Sequence, residues 1–160
     1  MRVKSSSEGF PEEVDGAGAP IGEYSVDNQI GFLLRLAHQR HNANLADRLS
    51  RYNVTPPQAV VLARLLECSR LSQNHLGRLV AMEPANIRDV VLRLKARGLI
   101  RQEKAPDDGR LLLLSLTTEG ETIARKLIPL SVESVKETLR RLGADEAKTL
   151  RALLKKLISE

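Results

Sequence analysis

The sequence predicts a mainly α-helical domain that carries one β-hairpin, and three observations predict it. Apolar residues recur every three or four positions through most of the chain. Pro, Ser and Thr signals divide that pattern into separate helices. The period switches to extended only once, after Gly98, on either side of a Pro-Asp-Asp-Gly turn. The 160 residues fit one domain with short extensions, and 42% hydrophobic with 28% charged residues supply a core and a solvated surface. Aromatics make up only 2% (Phe10, Tyr24, Phe32 and Tyr52), which argues against recognition of RNA by ring stacking. The single cysteine, Cys68, excludes a disulfide framework and a CxxC zinc site, and fits a reducing compartment. No apolar run approaches the ~20 residues that span a bilayer. The start, MRVKSSSEGF, lacks the apolar stretch of a signal peptide, so a cytoplasmic protein without membrane association is expected.

Residues 1 to about 22 are rich in Ser, Gly, Pro and Glu without apolar period and read as a flexible tail, leaving 23–160 as the folded domain. From about Val26 to Tyr52 the stripe Ile30, Leu34, Ala37, Leu45 and Leu49 predicts a long amphipathic helix. Thr55-Pro56-Pro57-Gln58 opens a second: Thr55 caps, Pro56 suits the first turn and Gln58 completes a capping box. Two short helices follow. One is capped by Ser72 and turns Leu76, Leu79 and Val80 inward; the other opens at Pro84, turns Ile87, Val90, Val91 and Leu94 inward, and stops at Gly98 as a left-handed cap. Leu99–Lys104 and Arg110–Leu116 then form the hairpin. Thr117 or Thr118 caps a helix with the stripe Ile123, Leu127, Leu130, Val135, Leu139 and Leu142, kinked at Pro129. A last helix carries Ala147, Leu150, Leu154 and Leu157.

The charge is uneven along this frame. The formal net charge is +5 and the pI about 9.7. Residues 1–69 hold seven basic against eight acidic residues, 70–110 hold nine against five, and 111–160 nine against seven. The excess therefore falls on the two short helices and the hairpin. Helix, short turn, helix and charged hairpin is the layout of a winged helix-turn-helix. A major groove ~12 Å wide admits one helix, which must pack on one side and read bases with the other. In the Pro84 helix the outward residues are Ala85, Asn86, Arg88, Asp89 and Arg93. Asn86 and Arg88 suit base edges, whereas Arg93 and Arg97 suit phosphate. The helix start at Pro84 offers free N–H groups and a positive dipole end. Gln73 and Asn74, at the start of the preceding helix, join the expected contacts. At the hairpin tip Asp108 and Arg110 lie on one side of extended chain, so the carboxylate holds the guanidinium for minor-groove entry.

The run LSQNHLGRLVAMEPANIRDVVLRLKARGLIRQEKAPDDGRLLLLSLTTEG, Leu71 to Gly120, resembles the MarR-type transcriptional regulators. The resemblance rests on Ala96-Arg97-Gly98-Leu99 closing the second helix, Asp108-Gly109-Arg110 at the wing, and Leu116-Thr117-Thr118-Glu119-Gly120 opening the next helix. It extends over about Val26–Ser159. It implies a mainly α fold in which a winged helix-turn-helix lobe with a two-stranded hairpin wing (55–117) is flanked by dimerising helices (23–54 and 118–160). It also implies a homodimer that binds a pseudo-palindromic duplex, and a repressor released by a small anionic or aromatic compound. Stripes on the terminal helices exceed what a lobe of about 50 residues can cover, an independent argument for the dimer. Gly77 departs from the alanine usual in the family, at a cost to helix propensity of ~1 kcal/mol. A similarity within LSQNHLGRLVAMEPANIRDVV to regulators of aromatic-acid breakdown implies an aromatic carboxylate or its thioester as effector.

In that family an effector pocket lies between the dimerising helices and the DNA-binding lobe. On the first helix His38, His41 and Arg35 are the candidate contacts, His because neutral and cationic forms are both accessible near neutrality. The alternative is a hydrogen-bonded pair of interface histidines. A metal site of His38, His41 and His75 lacks a further ligand at suitable spacing, so no metal or cofactor is expected. Cys68, beside Glu67, reads as a buried structural thiol rather than an oxidant sensor. Without GxSxG, HExxH or a phosphate-binding glycine loop, an enzyme is not expected. A protein-interaction module on the same scaffold is the remaining rival, and it has no need to present Arg88, Arg93 and Arg110 together.

Overall fold

The structure, a computed structural model, describes residues 25–106 and 110–159. The tail expected over 1–22 and the turn residues Asp107, Asp108 and Gly109 lie outside the described residues. The chain divides into two units, Met1–Leu36 and Ala37–Glu160. In the first, a 3-10 turn at Val26–Asn28 precedes the start of helix α1 (Ile30–Leu49). Ile30, Leu33, Leu34 and Leu36 are exposed there, and the Arg35 guanidinium lies 5.8 Å from the centre of the Phe32 ring.

In the second unit α1 continues to Leu49 and buries Leu45 and Leu49. A 3-10 turn, Ser50–Tyr52, ends on Asn53 in the left-handed region (φ 53°), which asparagine tolerates. Helix α2 (Pro56–Cys68) starts where the capping signal puts it, the Thr55 N–H donating to Gln58 Oε1 at 3.0 Å. Strand β1 (Leu71–Ser72), helix α3 (Gln73–Leu79) and helix α4 (Pro84–Ala96) follow. Ser72 Oγ accepts from the His75 N–H at 3.4 Å to cap α3. Strands β2 (Ile100–Lys104) and β3 (Leu112–Leu116) form the wing. Helices α5 (Thr118–Leu139, running on through Pro129) and α6 (Ala144–Ile158) close the chain.

The expected two-stranded hairpin is joined by a third strand. The order is β1-β3-β2, all antiparallel, with Leu71 opposite Leu114 and Ile100 opposite Leu116. Two residues carry no period, so β1 is invisible to pattern reading. Its pairing is driven by Leu71, which enters the core as the chain passes from α2 to α3. That core joins Leu49, Val61, Leu62, Leu65, Leu76, Ile87, Val91, Leu94, Leu99, Leu114, Ala124 and Leu127. Each fully buried aliphatic side chain adds about 1.5–3 kcal/mol over an exposed one. Two inward assignments fail. Leu79 is exposed, because it is the last residue of α3, a position off the stripe of Leu76 and Gly77 that packs inward. Cys68 is exposed too, as the last residue of α2, before Ser69 turns the chain at positive φ.

The junction of α4, β2 and α5 is close. Gly98 (φ 69°) takes the left-handed conformation, its N–H bonding Lys95 O at 2.9 Å while Leu99 N–H bonds Leu94 O at 3.0 Å. Thr117, not Thr118, caps α5: its hydroxyl accepts from Gly120 N–H at 3.0 Å and donates to Gly98 O at 2.7 Å. Its own N–H bonds Leu99 O at 3.1 Å. A Cβ on Gly120 would stand 1.8 Å from that same carbonyl oxygen, so only glycine fits. Gly120→Ala is therefore expected to cost at least about 2 kcal/mol, since backbone rather than a side-chain tip must move. Urea denaturation checks this, and a variant as stable as the parent would mean that Leu99 does not limit the approach of α5.

Candidate nucleic-acid interface

Helix α4 has two faces. Ile87, Val91 and Leu94 are buried, Val90 is half-buried, and Pro84, Ala85, Asn86, Arg88, Asp89 and Arg93 are exposed. This spacing of three and four holds the helix by one stripe and frees the other for a groove. No side chain caps its start, where Pro84 occupies the first turn and Ile87 N–H bonds Glu83 O at 3.0 Å. The remaining N–H groups of that turn stay open to an anion. Asn86 and Arg88 make no hydrogen bond or ion pair among the described residues, whereas Arg93 Nε pairs with Asp89 at 3.0 Å one turn away. Asp89 thus orients Arg93. Both groups are well exposed, so the pair adds only a few tenths of a kcal/mol.

The turn between α3 and α4 is close and strained. Ala81 adopts φ 51°, a conformation L residues rarely take, while Met82 N–H bonds Gly77 O at 2.9 Å. A Cβ on Gly77 would lie 3.2 Å from Ile87 Cγ2 and 3.4 Å from Met82 O. Glycine here lets α3 meet the first turn of α4 more closely than alanine does, which gives the departure from the family pattern a packing role. Asn74 of α3 lines a cavity of about 550 Å³ beside that turn, with Arg78, Glu83 and Pro84. Gln73, next to it, is half-buried at the start of α3. Arg78 was missed by the sequence reasoning, although it sits one turn after Asn74 on the same helix.

One expected DNA contact comes out differently. Arg97 does not point outward with the others: its guanidinium donates to Asn53 O at 2.5 Å and Tyr52 O at 3.1 Å, and the residue is half-buried. Those carbonyls lie 44 and 45 positions upstream, beyond the reach of local spacing. At the wing, Arg110 is exposed. Its expected partner Asp108 lies outside the described residues. Near the wing root, Arg101 turns back to Ser115 Oγ and Glu103, both at 3.2 Å.

A second site opens on α2. His41, Leu45, Ala59, Val60, Ala63, Arg64, Glu67, Ser131 and Val135 surround a cleft of about 250 Å³, apolar but for its rim. Thr138 spends its hydroxyl hydrogen on Ser134 O at 2.8 Å, so at 3.1 Å it accepts from His41 Nδ1–H. In the neutral ring that places the proton on Nδ1 and leaves Nε2 as an acceptor. Partial burial, helped by the neighbouring His38, holds His41 below the ordinary histidine value of 6.5. Arg64 is held by Glu67 at 2.8 Å. Of the three expected effector residues only His41 lines this cleft. His38 bonds Asn42 on its own helix at 2.9 Å, and Arg35, in the other unit, lies over Phe32. Arg64 was overlooked because it sits in an otherwise core-forming helix; the signal was the single charge within Val60–Leu66. Among the described residues no group of three or more His, Cys, Asp or Glu is placed to hold a metal ion, and no helix is long and apolar enough to cross a membrane.

Comparison with known proteins agrees with this geometry. A family model described as "MarR family" matches residues 52–111, from the end of α1 to the threshold of β3. Over 144 residues the chain is 34% identical to the HTH-type transcriptional repressor NicR of Pseudomonas putida, covering 89% of this chain and 91% of that protein. A probable transcriptional regulator from Pseudomonas aeruginosa has a similar structure, with TM-score 0.79 and 43% identity over 84% of this chain and 100% of that one. So does Bordetella bronchiseptica BpsR, whose DNA binding is regulated by 6-hydroxynicotinic acid, with TM-score 0.81 and 31% identity over 87% of this chain and 99% of that one. With similarity of this degree running nearly end to end, the chain belongs to the MarR family.

Proposed function

We propose that the chain is a sequence-specific, double-stranded-DNA-binding repressor that acts as a homodimer in the cytoplasm and is released by a small aromatic carboxylate or a related thioester. The observation that carries the DNA reading is α4: three buried aliphatic anchors behind Asn86 and Arg88, which stand exposed without partners among the described residues, near an open helix start. Asn86 and Arg88 read base edges, with Ala85 and Pro84 beside them. Arg93, Arg78 and Arg110 meet phosphate, and Gln73 and Asn74 border the duplex from α3. Asp108 would steady Arg110 at the wing tip.

The dimer reading is supported by the C-terminal helix. No residue of α6 is buried, and Leu153, Leu157 and Ile158 are 58%, 62% and 80% exposed. With Val135 and Leu139 of α5, α6 borders an apolar groove of about 210 Å³. A second copy covering that face leaves 55–117 as the DNA-binding lobe and 23–54 with 118–160 as dimerising segments. An interaction module without DNA duty leaves the exposed Asn86 and Arg88 pair unexplained.

Arg88→Ala is expected to weaken binding to a preferred duplex by ~1–3 kcal/mol and to relax selectivity at one position in each half-site. Titration of labelled duplexes varied one base pair at a time checks this; unchanged affinity and selectivity would remove α4 from the interface.

The effector reading rests on the cleft of His41 and Arg64, and 6-hydroxynicotinic acid, the regulator of BpsR, is the first compound to try. A bound carboxylate beside His41 favours its cationic form, whereas burial keeps it neutral in the free protein. The complex then holds more protons than the free protein, so affinity rises as pH falls through the neutral range and levels off below the depressed free value. Calorimetry from pH 8 to pH 6 on parent and His41→Gln measures it. No binding tighter than millimolar across pyridine carboxylates, hydroxybenzoates and acyl thioesters would sink the effector class; pH-independent binding by the parent would remove His41 from the site.

A further inference from the structure

Three consecutive residues just past α4 tie it to two other parts of the chain. The Arg97 guanidinium spans the carbonyls of Tyr52 and Asn53, at the exit of α1. Gly98 O accepts from the hydroxyl of Thr117, the cap of α5. Leu99 O accepts from Thr117 N–H, and Gly120 of α5 passes so close to it that no Cβ fits between them. Leu94 and Leu99 are buried around this point, as is Leu49 of α1. Asn53 and Gly98, on the two sides of the junction, both occupy the left-handed region, so neither turn has slack to absorb a shift. The other end of α4 is fixed by Ile87 against Gly77.

We propose that Arg97-Gly98-Leu99 is the joint through which α1 and α5 set the angle of the DNA-reading helix, and that Arg97 is a positioning residue in this joint rather than a phosphate contact. The inference rests on the DNA-binding reading. A planar guanidinium donating to two successive carbonyls fixes orientation as well as distance, which a single ammonium cannot do. A change in the spacing of α1 and α5 would reach α4 as a rotation, because the three ties sit on adjacent residues.

The test uses the full-length protein and a two-fold-symmetric duplex selected from a random pool, with companion duplexes one base pair longer and shorter between half-sites. Affinity is measured across a salt series for the parent, Arg97→Ala, Arg97→Lys and Thr117→Val, with helical signal and thermal unfolding recorded for each. For the joint, all three variants lose spacing discrimination by roughly five- to tenfold, in the range of ordinary coupling effects. The salt slope stays unchanged and lysine does not rescue. Thr117→Val carries the test without touching a charge should Arg97→Ala fail to fold. A phosphate contact predicts the opposite pattern: Arg97→Ala lowers the slope by about one per protomer, keeps its spacing preference and is rescued by lysine. That pattern would overturn the inference alone. A parent protein that binds no duplex selectively would overturn the DNA-binding reading and the inference with it.

Discussion

At Gly98 the chain leaves a helix and must be extended by Ile100, and the carbonyl of Leu99 is the fixed point of that turn. Everything that presents α4 to a groove is referred to it. The Leu94–Leu99 bond closes the helix behind it, Thr117 bonds to it from the cap of α5, and Gly120 lets α5 start against it without an intervening side chain. Leu99 and Gly120 are buried, so leaving the Leu99 carbonyl unpaired costs about 1–3 kcal/mol. The junction therefore holds as a unit or opens as a unit.

From that point the energetics of α4 follow. Ile87, Val91 and Leu94 lie within 3% of full burial and fix the helix along one stripe. Among the described residues its outer face leaves Asn86 and Arg88 unpaired, which is inexpensive in water and useful only against a polar partner. The lining of the cleft at His41 and Arg64 includes no residue of the wing strands, but it does include Ser131 and Val135 of α5. Under the proposed function, an anion bound there would act on the same helix whose first turn is locked to Leu99, and ligand control would equal the difference in effector affinity between two settings of that helix.

Much of this was legible in the residues. Thr55 with Gln58, Ser72, Gly98 and the Thr117-Thr118 pair each announced a helix boundary through backbone chemistry that acts within four residues, and the buried stripe of α4 followed from period alone. What escaped was tertiary. Arg97 finds its acceptors 44 and 45 positions away, so its charge read as one more phosphate contact. β1 is two residues long and owes its existence to a pairing with β3. Cys68 was expected inside and is outside, because burial at a helix end depends on where the next turn goes. Arg64 was hidden by the apolar company it keeps on α2.

The central claim is that two copies of α4 read one symmetric duplex. Selection of bound duplexes from a random pool, at near-physiological salt and without added effector, tests it most directly. The account predicts a two-fold-symmetric motif whose half-sites are centred about one helical turn, roughly 34–36 Å, apart. Recovery of no motif, with binding that disappears as salt rises, would contradict it and reduce the basic lobe to an electrostatic surface.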